Sequence, residues 1–314
     1  MKNILVIKHG ALGDIIQAID TFESLRLSFV QSRITLLTSP VFAPLLAASG
    51  WFDEVVTDPR KPIWHPQNSW RMAKLFKRPF DGIIDLQCSS RTAAYFKLMR
   101  PKTRWFGTVS GCSDPMPDFT GVNNRDRMMI AAQMAGASAH IGTLDFLADV
   151  PMEKEISLPT RYCVFVAGSS GAKPSKRWAS ASFAEIARYS LAQSITPLLC
   201  GTAEDKEANA AIIAECPKAI DLTGQTNIAY LAGLMGGAEF ILGNDTGPVF
   251  LGGRTNRPTL MVMGADTNPD MSAPTGKYAD YLFEAELSDL RPQKVWQKLQ
   301  VMRQKAGQQA GQKI

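Results

Sequence analysis

Four places in the 314-residue sequence set residue types that do chemistry beside small residues that let a ligand approach. In "ILVIKHGALGDIIQAI", residues 4–19, Asp14 follows Gly10 and Gly13 directly behind an apolar run. A carboxylate there can take the proton of a hydroxyl nucleophile. It can also complement the positive end of a helix that begins beside it, a contribution of about 0.3 to 1 kcal/mol. In "AGSSGAKPSKRW" a loop of glycines and hydroxyls carries Lys173, Lys176 and Arg177, a setting that suits phosphate oxygens. In "GNDTGPVF", residues 243–250, Asp245, Thr246 and Gly247 precede Pro248, a residue suited to a first helical turn. The backbone N–H groups of Thr246 and Gly247 would then open from a helix N-terminus, where a diphosphate is a natural occupant. "LCGTAEDKE" adds Glu204 just past an apolar run. That carboxylate can accept from ribose hydroxyls or simply stand as an exposed acid at a helix start.

Two familiar phosphate motifs do not fit. "HGALGD" supplies only two of the three glycines of G-x-G-x-x-G, and the next apolar run, "RITLLTS", ends without the acid that would hold an adenosine ribose. A nicotinamide or flavin site is therefore not expected in the first half. The Lys176 loop has neither the glycine spacing nor the Lys-Ser/Thr pair of a Walker loop. The five cysteines form no C-x-x-C pair, and three histidines give no metal-ligand spacing. Reduced, structural thiols are expected, with no metal and no cofactor.

The elements that position these residues follow from apolar runs. "NILVIK", "RITLLTS", "EVVTD" and "DGIIDLQ" read as strands with helical stretches between them, and a second series runs through "RYCVFVAGSS", "TPLLCGT", "AIDLTG", "EFILGND" and "TLMVMGA". Such alternation predicts parallel sheets covered by helices on both faces. Behind Asp14, the residues Ile15, Ile16, Ile19, Phe22 and Leu25 recur at helical spacing, so Asp14 stands where strand becomes helix. In an open α/β sheet ligands bind at that edge. The polar, Pro-containing stretch at 149–162 divides the two series, and two doubly wound domains are expected. At the C-terminus, Pro292 opens a helix with Val295, Leu299 and Met302 on one face, followed by a polar tail.

Hydrophobic content of 45% and charged content of 20% are those of an ordinary globular protein, and no apolar run reaches the ~20 residues of a membrane span. The start lacks a signal-peptide pattern, which predicts a cytoplasmic location. From Arg60 to Arg104 eleven Lys or Arg face two acids, Asp81 and Asp85. This segment is either a solvated face or an attractor for an anionic partner such as a phosphorylated glycolipid or a membrane surface. Nucleic acid is not expected, because no nucleic-acid-binding motif accompanies the charge.

In this order the blocks "ILVIKHGALGDIIQA", "FDGIIDLQCSSRTA", "KRWASASFAEIA", "LCGTAEDKE" and "DLTGQTNIAYLAGLMGGAEFILGNDTGP" resemble the bacterial lipopolysaccharide heptosyltransferases of glycosyltransferase family 9. The resemblance implies a GT-B fold of two Rossmann-like domains facing a central cleft: an acceptor-binding domain over 1–155, a nucleotide-sugar domain over 156–285, and a helix over 286–314 that returns to the first domain. It implies heptose transfer from ADP-heptose to an anionic glycolipid acceptor of the lipopolysaccharide inner core, with inversion, without a metal, and with peripheral association at the inner membrane. Residue by residue, Asp14 matches the acid proposed as catalytic base in the family's glycine turn, to which Gly10 and Gly13 belong. Lys176 matches the lysine on the donor phosphates, Glu204 the carboxylate on the donor ribose, and Asp245, Thr246 and Gly247 the cradle of the diphosphate. Phe250 departs from the pattern, since the family usually carries His there. A GT-B enzyme using another nucleotide-sugar, for transfer or epimerisation, and a catalytically silent homologue are the alternatives.

Overall fold

Ile4, Leu5, Val6 and Ile7 are all completely buried, as a strand covered on both faces requires. They form most of β1 (Asn3–Ile7) in a computed structural model that describes residues 1–149, 157–169 and 174–311. The chain divides into two units, Met1–Phe146 and Leu147–Ile314. The domain boundary expected at 155–156 and Lys173 lie outside the described residues.

In the first unit β1 is followed by α1 (Leu12–Gln17), α2 (Ile19–Ser28), β2 (Arg33–Thr38), α3 (Ala43–Ala47), β3 (Glu54–Thr57), α4 (Pro66–Phe76), β4 (Gly82–Asp85), α5 (Ser90–Met99), β5 (Arg104–Gly107), β6 (Asp114–Pro115) and α6 (Asn124–Met134). The strands are parallel in the order β3-β2-β1-β4-β5-β6. Leu5 and Ile7, two residues apart on one face of β1, meet Met72, Leu75 and Phe76 of α4 and Trp105 of β5 in one core. The single helix expected behind Asp14 is two helices. The Ala18 N–H is shared between the carbonyls of Asp14 and Ile15, which closes α1 before α2 begins. Ile15, Ile16, Ile19, Phe22 and Leu25 are nevertheless all buried.

The second unit repeats the plan with β7 (Tyr162–Val166), α7 (Ser180–Ala192), β8 (Thr196–Leu199), α8 (Lys206–Glu215), β9 (Ile220–Asp221), α9 (Ile228–Gly237), β10 (Ile241–Asn244), α10 (Gly247–Gly253), β11 (Thr259–Met263), β12 (Ala279–Phe283) and α11 (Pro292–Gly311). Its parallel order β12-β11-β10-β7-β8-β9 is that of the first unit. Both sheets thus have the doubly wound order whose switch point lies between the first and fourth strands. Strands β5, β6 and β12 went unpredicted. β12 lies at the sheet edge with Asp280 as its second residue, so it lacks the apolar run of a strand covered on both faces.

The closing helix differs from expectation in one respect. Its polar residues continue as helix to Gly311 rather than forming a tail, in keeping with the good helix propensity of Gln, Lys and Ala. Val295, Leu299 and Met302 share a core with Phe183, Ile186 and Phe240 of the second unit. Through these residues the helix is part of that unit.

Candidate active site

Gly10 ends the turn after β1 with φ of +133°, and a Cβ there would come within 2.5 Å of the Phe42 ring, so both backbone and space require glycine. Gly13 and Asp14 follow in the first turn of α1. One Asp14 oxygen accepts from the Ala11 N–H at 3.0 Å, capping the helix, and the other accepts from the Asn124 side-chain amide at 3.0 Å. Arg127, one turn further along α6, donates to the Asn124 oxygen at 2.8 Å. The Asp14 carboxylate is thereby held from two sides at the carboxyl edge of the first sheet. Asn124 and Arg127 were not anticipated from sequence; their three-residue spacing at a helix start is a signal too common to single out. Arg127 also lines a depression with Cys88, Ser110, Met116 and Thr120.

Beneath this edge lies a buried polar cluster. The His9 Nε2 is 3.1 Å from an oxygen of Asp58, which also accepts from Arg91 at 2.7 and 2.9 Å and from Tyr95 at 2.5 Å. Burial pushes the Asp58 carboxyl up, but the bonds from His9, Arg91 and Tyr95 outweigh it and hold it well below the usual carboxylate range. Asp58 follows β3, His9 follows β1 and Tyr95 stands on α5, so the cluster ties three segments together. Lys8 is 1% exposed. Burial lowers its pKa, with the charge of Asp14 opposing the shift. At the end of β4, burial raises the Asp85 carboxyl although the N–H groups of Cys88 and Gln87 donate to it. Burial and that carboxyl push the Cys88 thiol up to about 11, which removes Cys88 as a thiolate nucleophile at neutral pH.

In the second unit the switch point between β7 and β10 gathers most of the expected residues. Asn244, completely buried at the end of β10, donates to the Ala167 carbonyl at 2.6 Å and accepts from the Trp178 N–H at 2.9 Å. Its amide thus fastens the end of β7, the end of β10 and the entry to α7. Asp245 accepts from the Lys176 ammonium and from the Thr267 hydroxyl. Thr246 caps α10 in extended conformation without a side-chain cap bond, and Gly247 and Pro248 follow in its first turn. The Lys176 ammonium, held by Asp245 just before the first turn of α10, keeps two further protons to donate. Phe250 is buried within α10.

Glu204 stands exposed after β8, the strand beside β7, and its carboxylate makes no hydrogen bond among the described residues. Its neighbour Asp205 does the structural task. The Asp205 carboxylate accepts from the Thr202 N–H at 2.7 Å and fills the space beside Gly168 and Gly201, where a Cβ would come within 1.8 and 2.8 Å of it. The Thr-x-x-Asp pattern of a capping box was its sequence signal. A depression lined by Arg161, Glu239, Arg257 and Arg303 lies at the opposite, amino-terminal edge of the sheet. Glu239 pairs there with both Arg161 and Arg303.

A family model described as glycosyltransferase family 9 (heptosyltransferase) matches residues 120–300, well over half of the chain. The chain belongs to glycosyltransferase family 9. The family 9 match begins at Thr120, so it takes in Asn124 and Arg127 of α6 with most of the second unit, while Asp14 lies before it. A Haemophilus influenzae protein named lipooligosaccharide heptosyltransferase 2 is 21% identical, covering 92% of this chain and 91% of its own. The structure of Escherichia coli ADP-heptose lipopolysaccharide heptosyltransferase II is similar at a TM-score of 0.80 and 21% identity, covering 97% of this chain and 99% of its own. E. coli heptosyltransferase WaaC with ADP gives a TM-score of 0.78 at 17% identity, covering 96% and 99%. The two doubly wound units of this family 9 glycosyltransferase are those of the GT-B fold.

Proposed function

We propose that this family 9 glycosyltransferase moves heptose from ADP-heptose onto an anionic glycolipid of the lipopolysaccharide inner core, on the cytoplasmic side of the membrane. The observation that carries the reading is the ion pair at the second switch point, where Asp245 holds the Lys176 ammonium beside the first turn of α10. A diphosphate seated there gains a charge-assisted bond from Lys176 and N–H donors from the helix start. The exposed Glu204 carboxylate at the end of the neighbouring strand is free to accept from the ribose hydroxyls. The E. coli relative solved with ADP supports a nucleotide of this class.

Asp14 takes the proton of the acceptor hydroxyl as its oxygen bonds to the anomeric carbon. The bond from that carbon to the diphosphate oxygen breaks on the opposite face, and the electron pair leaves with ADP. Negative charge grows on the departing diphosphate, and Lys176 with the α10 amides stabilises it as preorganised donors. No step of this reading calls on a divalent ion. Asn124 and Arg127 keep the Asp14 carboxylate in place, and the depression beside Arg127 offers an anionic acceptor its first contact.

The test is a panel of nucleotide-sugars read by thermal shift and by product analysis with a lipopolysaccharide core acceptor. ADP-heptose should raise the melting temperature and yield a heptosylated product. Stabilisation by another nucleotide-sugar but not by ADP-heptose would move the donor assignment, and an unaltered donor after long incubation with acceptor would make the protein a binding homologue.

A further inference from the structure

The depression at the amino-terminal edge of the second sheet takes no part in the catalytic or donor reading. The turns that enter four parallel strands meet there: Arg161 stands just before β7, Glu239 before β10, Arg257 before β11, and Lys277 with Tyr278 before β12. Arg303 of α11 closes one side together with Gln300 and Gln304. Its volume of about 820 Å³ lies within the range of small-molecule pockets, about 300 to 1,000 Å³.

Among the described residues of its lining, four cations face one carboxylate. Part of that charge has structural work. Glu239 accepts from Arg161 and Arg303, both at 2.9 Å, and a second Arg161 nitrogen donates to the Gln193 carbonyl at the end of α7 at 3.0 Å. Burial pushes the Glu239 carboxyl up, but the bonds from the two arginines outweigh it and hold it below the ordinary value. The Arg257 Nε donates to the Gly236 carbonyl in the last turn of α9 at 2.6 Å. The terminal nitrogens of Arg257 and the ammonium of Lys277 are left over. Among the described residues they make no hydrogen bond or ion pair, and both side chains are exposed. The Lys277 ammonium lies 4.9 Å from the centre of the Tyr278 ring, whose hydroxyl donates to Gln309 of α11 at 2.8 Å.

We propose that this depression is a second anion site, one that binds a phosphorylated saccharide. The Arg257 fork and the Lys277 ammonium donate charge-assisted bonds to phosphoryl oxygens. The side-chain amides of Gln300 and Gln304 meet sugar hydroxyls as both donors and acceptors. A nucleotide would need a ring on which to stack its base. Among the described residues Tyr278 is the one aromatic side chain of the lining, and its ring already carries the Lys277 ammonium. The site lies at the opposite edge of the sheet from Lys176 and Asp245, so the proposal does not rest on the donor reading or on which sugar is transferred.

Titration calorimetry of the full chain, with ADP in excess to occupy the donor site, should show glucose 6-phosphate binding at one site. Its affinity should be at least tenfold above that for glucose or inorganic phosphate, and should fall as ionic strength rises. Lys277→Gln and Arg257→Gln should each lower that affinity about tenfold, with circular dichroism and melting unchanged because both side chains are exposed. Lys176→Ala and Arg127→Gln should leave it unaltered. No binding, or binding that survives both substitutions at this edge, would overturn the proposal. Equal affinity for inorganic phosphate would overturn the saccharide assignment. Binding lost in Lys176→Ala or Arg127→Gln and kept in Lys277→Gln would overturn it too, since the ligand would then sit at another edge. Heptose transfer is not measured in this titration, so the failure of either reading leaves the other standing.

Discussion

In the proposed mechanism Asp14 caps its own helix and takes the acceptor's proton with one carboxylate. Its bond to the Ala11 N–H is the capping contact that any acid in a first helical turn can make, while its bond to Asn124 is a long-range tie made by the fold. Asp14→Asn keeps an acceptor for the cap and removes the base. It should lower kcat by about 10² to 10⁴ and leave donor affinity unchanged; near-normal turnover in the folded variant would take Asp14 out of the mechanism. Lys176 is coupled to Asp245 in the same sense. Lys176→Ala should weaken donor binding by about 1.5 to 3 kcal/mol, because a lost cation also leaves the Asp245 carboxylate uncompensated beside the diphosphate. The double variant Lys176→Ala with Asp245→Asn should bind donor better than Lys176→Ala alone in titration calorimetry. Turnover should persist in EDTA, since the departing charge is assigned to Lys176 and backbone amides; activity lost to chelation and restored by a divalent ion would refute that assignment.

The ends of strands decide what the neighbouring residues can do. In the second unit a single carboxylate, Asp205, closes the gap between the ends of β7 and β8, and Gly168 and Gly201 are glycines because that carboxylate occupies the space of a side chain. In the first unit Asp58 does the equivalent work for the turns after β1 and β3. Its pKa is depressed by His9, Arg91 and Tyr95 in the face of burial. Its contribution to stability is therefore complete above the unfolded value of about 3.9 and is lost as pH falls from there toward the lower folded value. Acid unfolding followed by circular dichroism should show this loss below about pH 4 in the wild type. Asp58→Asn should be destabilised by roughly 3 to 5 kcal/mol at neutral pH, with a flatter pH dependence in the acid range. Equal acid sensitivity of the two proteins would assign the acid response to other carboxylates.

Each unit carries a doubly wound sheet of the same strand order and a core of its own. The closing helix contributes Val295, Leu299 and Met302 to the second core. Leu299 is fully buried, and Leu299→Ala should cost about 2 to 5 kcal/mol through lost burial and the cavity left behind. Hydrogen exchange should locate that loss: protection should fall in β7, β10 and β11 and stay unchanged in β1 and β4. A loss of protection spread equally over both sheets would mean that the helix stabilises the first unit as well.

Much of this enzyme was legible in its sequence. The apolar runs of β1, β7 and β11 must be strands buried on both faces because no polar alternation interrupts them. Proline and glycine at 247–248 mark a helix start, and the family blocks carry the donor-site assignment. What sequence could not show are the contacts between distant residues. Asn124 reaches Asp14 across 110 positions, and Thr267 shares Asp245 with Lys176. Three of the eleven basic residues from Arg60 to Arg104, namely Arg78, Arg91 and Arg104, are paired with Glu54, Asp58 and Asp114, all outside that segment. Which lysines stay free, and that Trp64 and Trp70 stand among them in solvent, was settled only when the chain folded. Local periodicity reports which face of an element is apolar, but the partner that covers a face or neutralises a charge is chosen by packing across the chain.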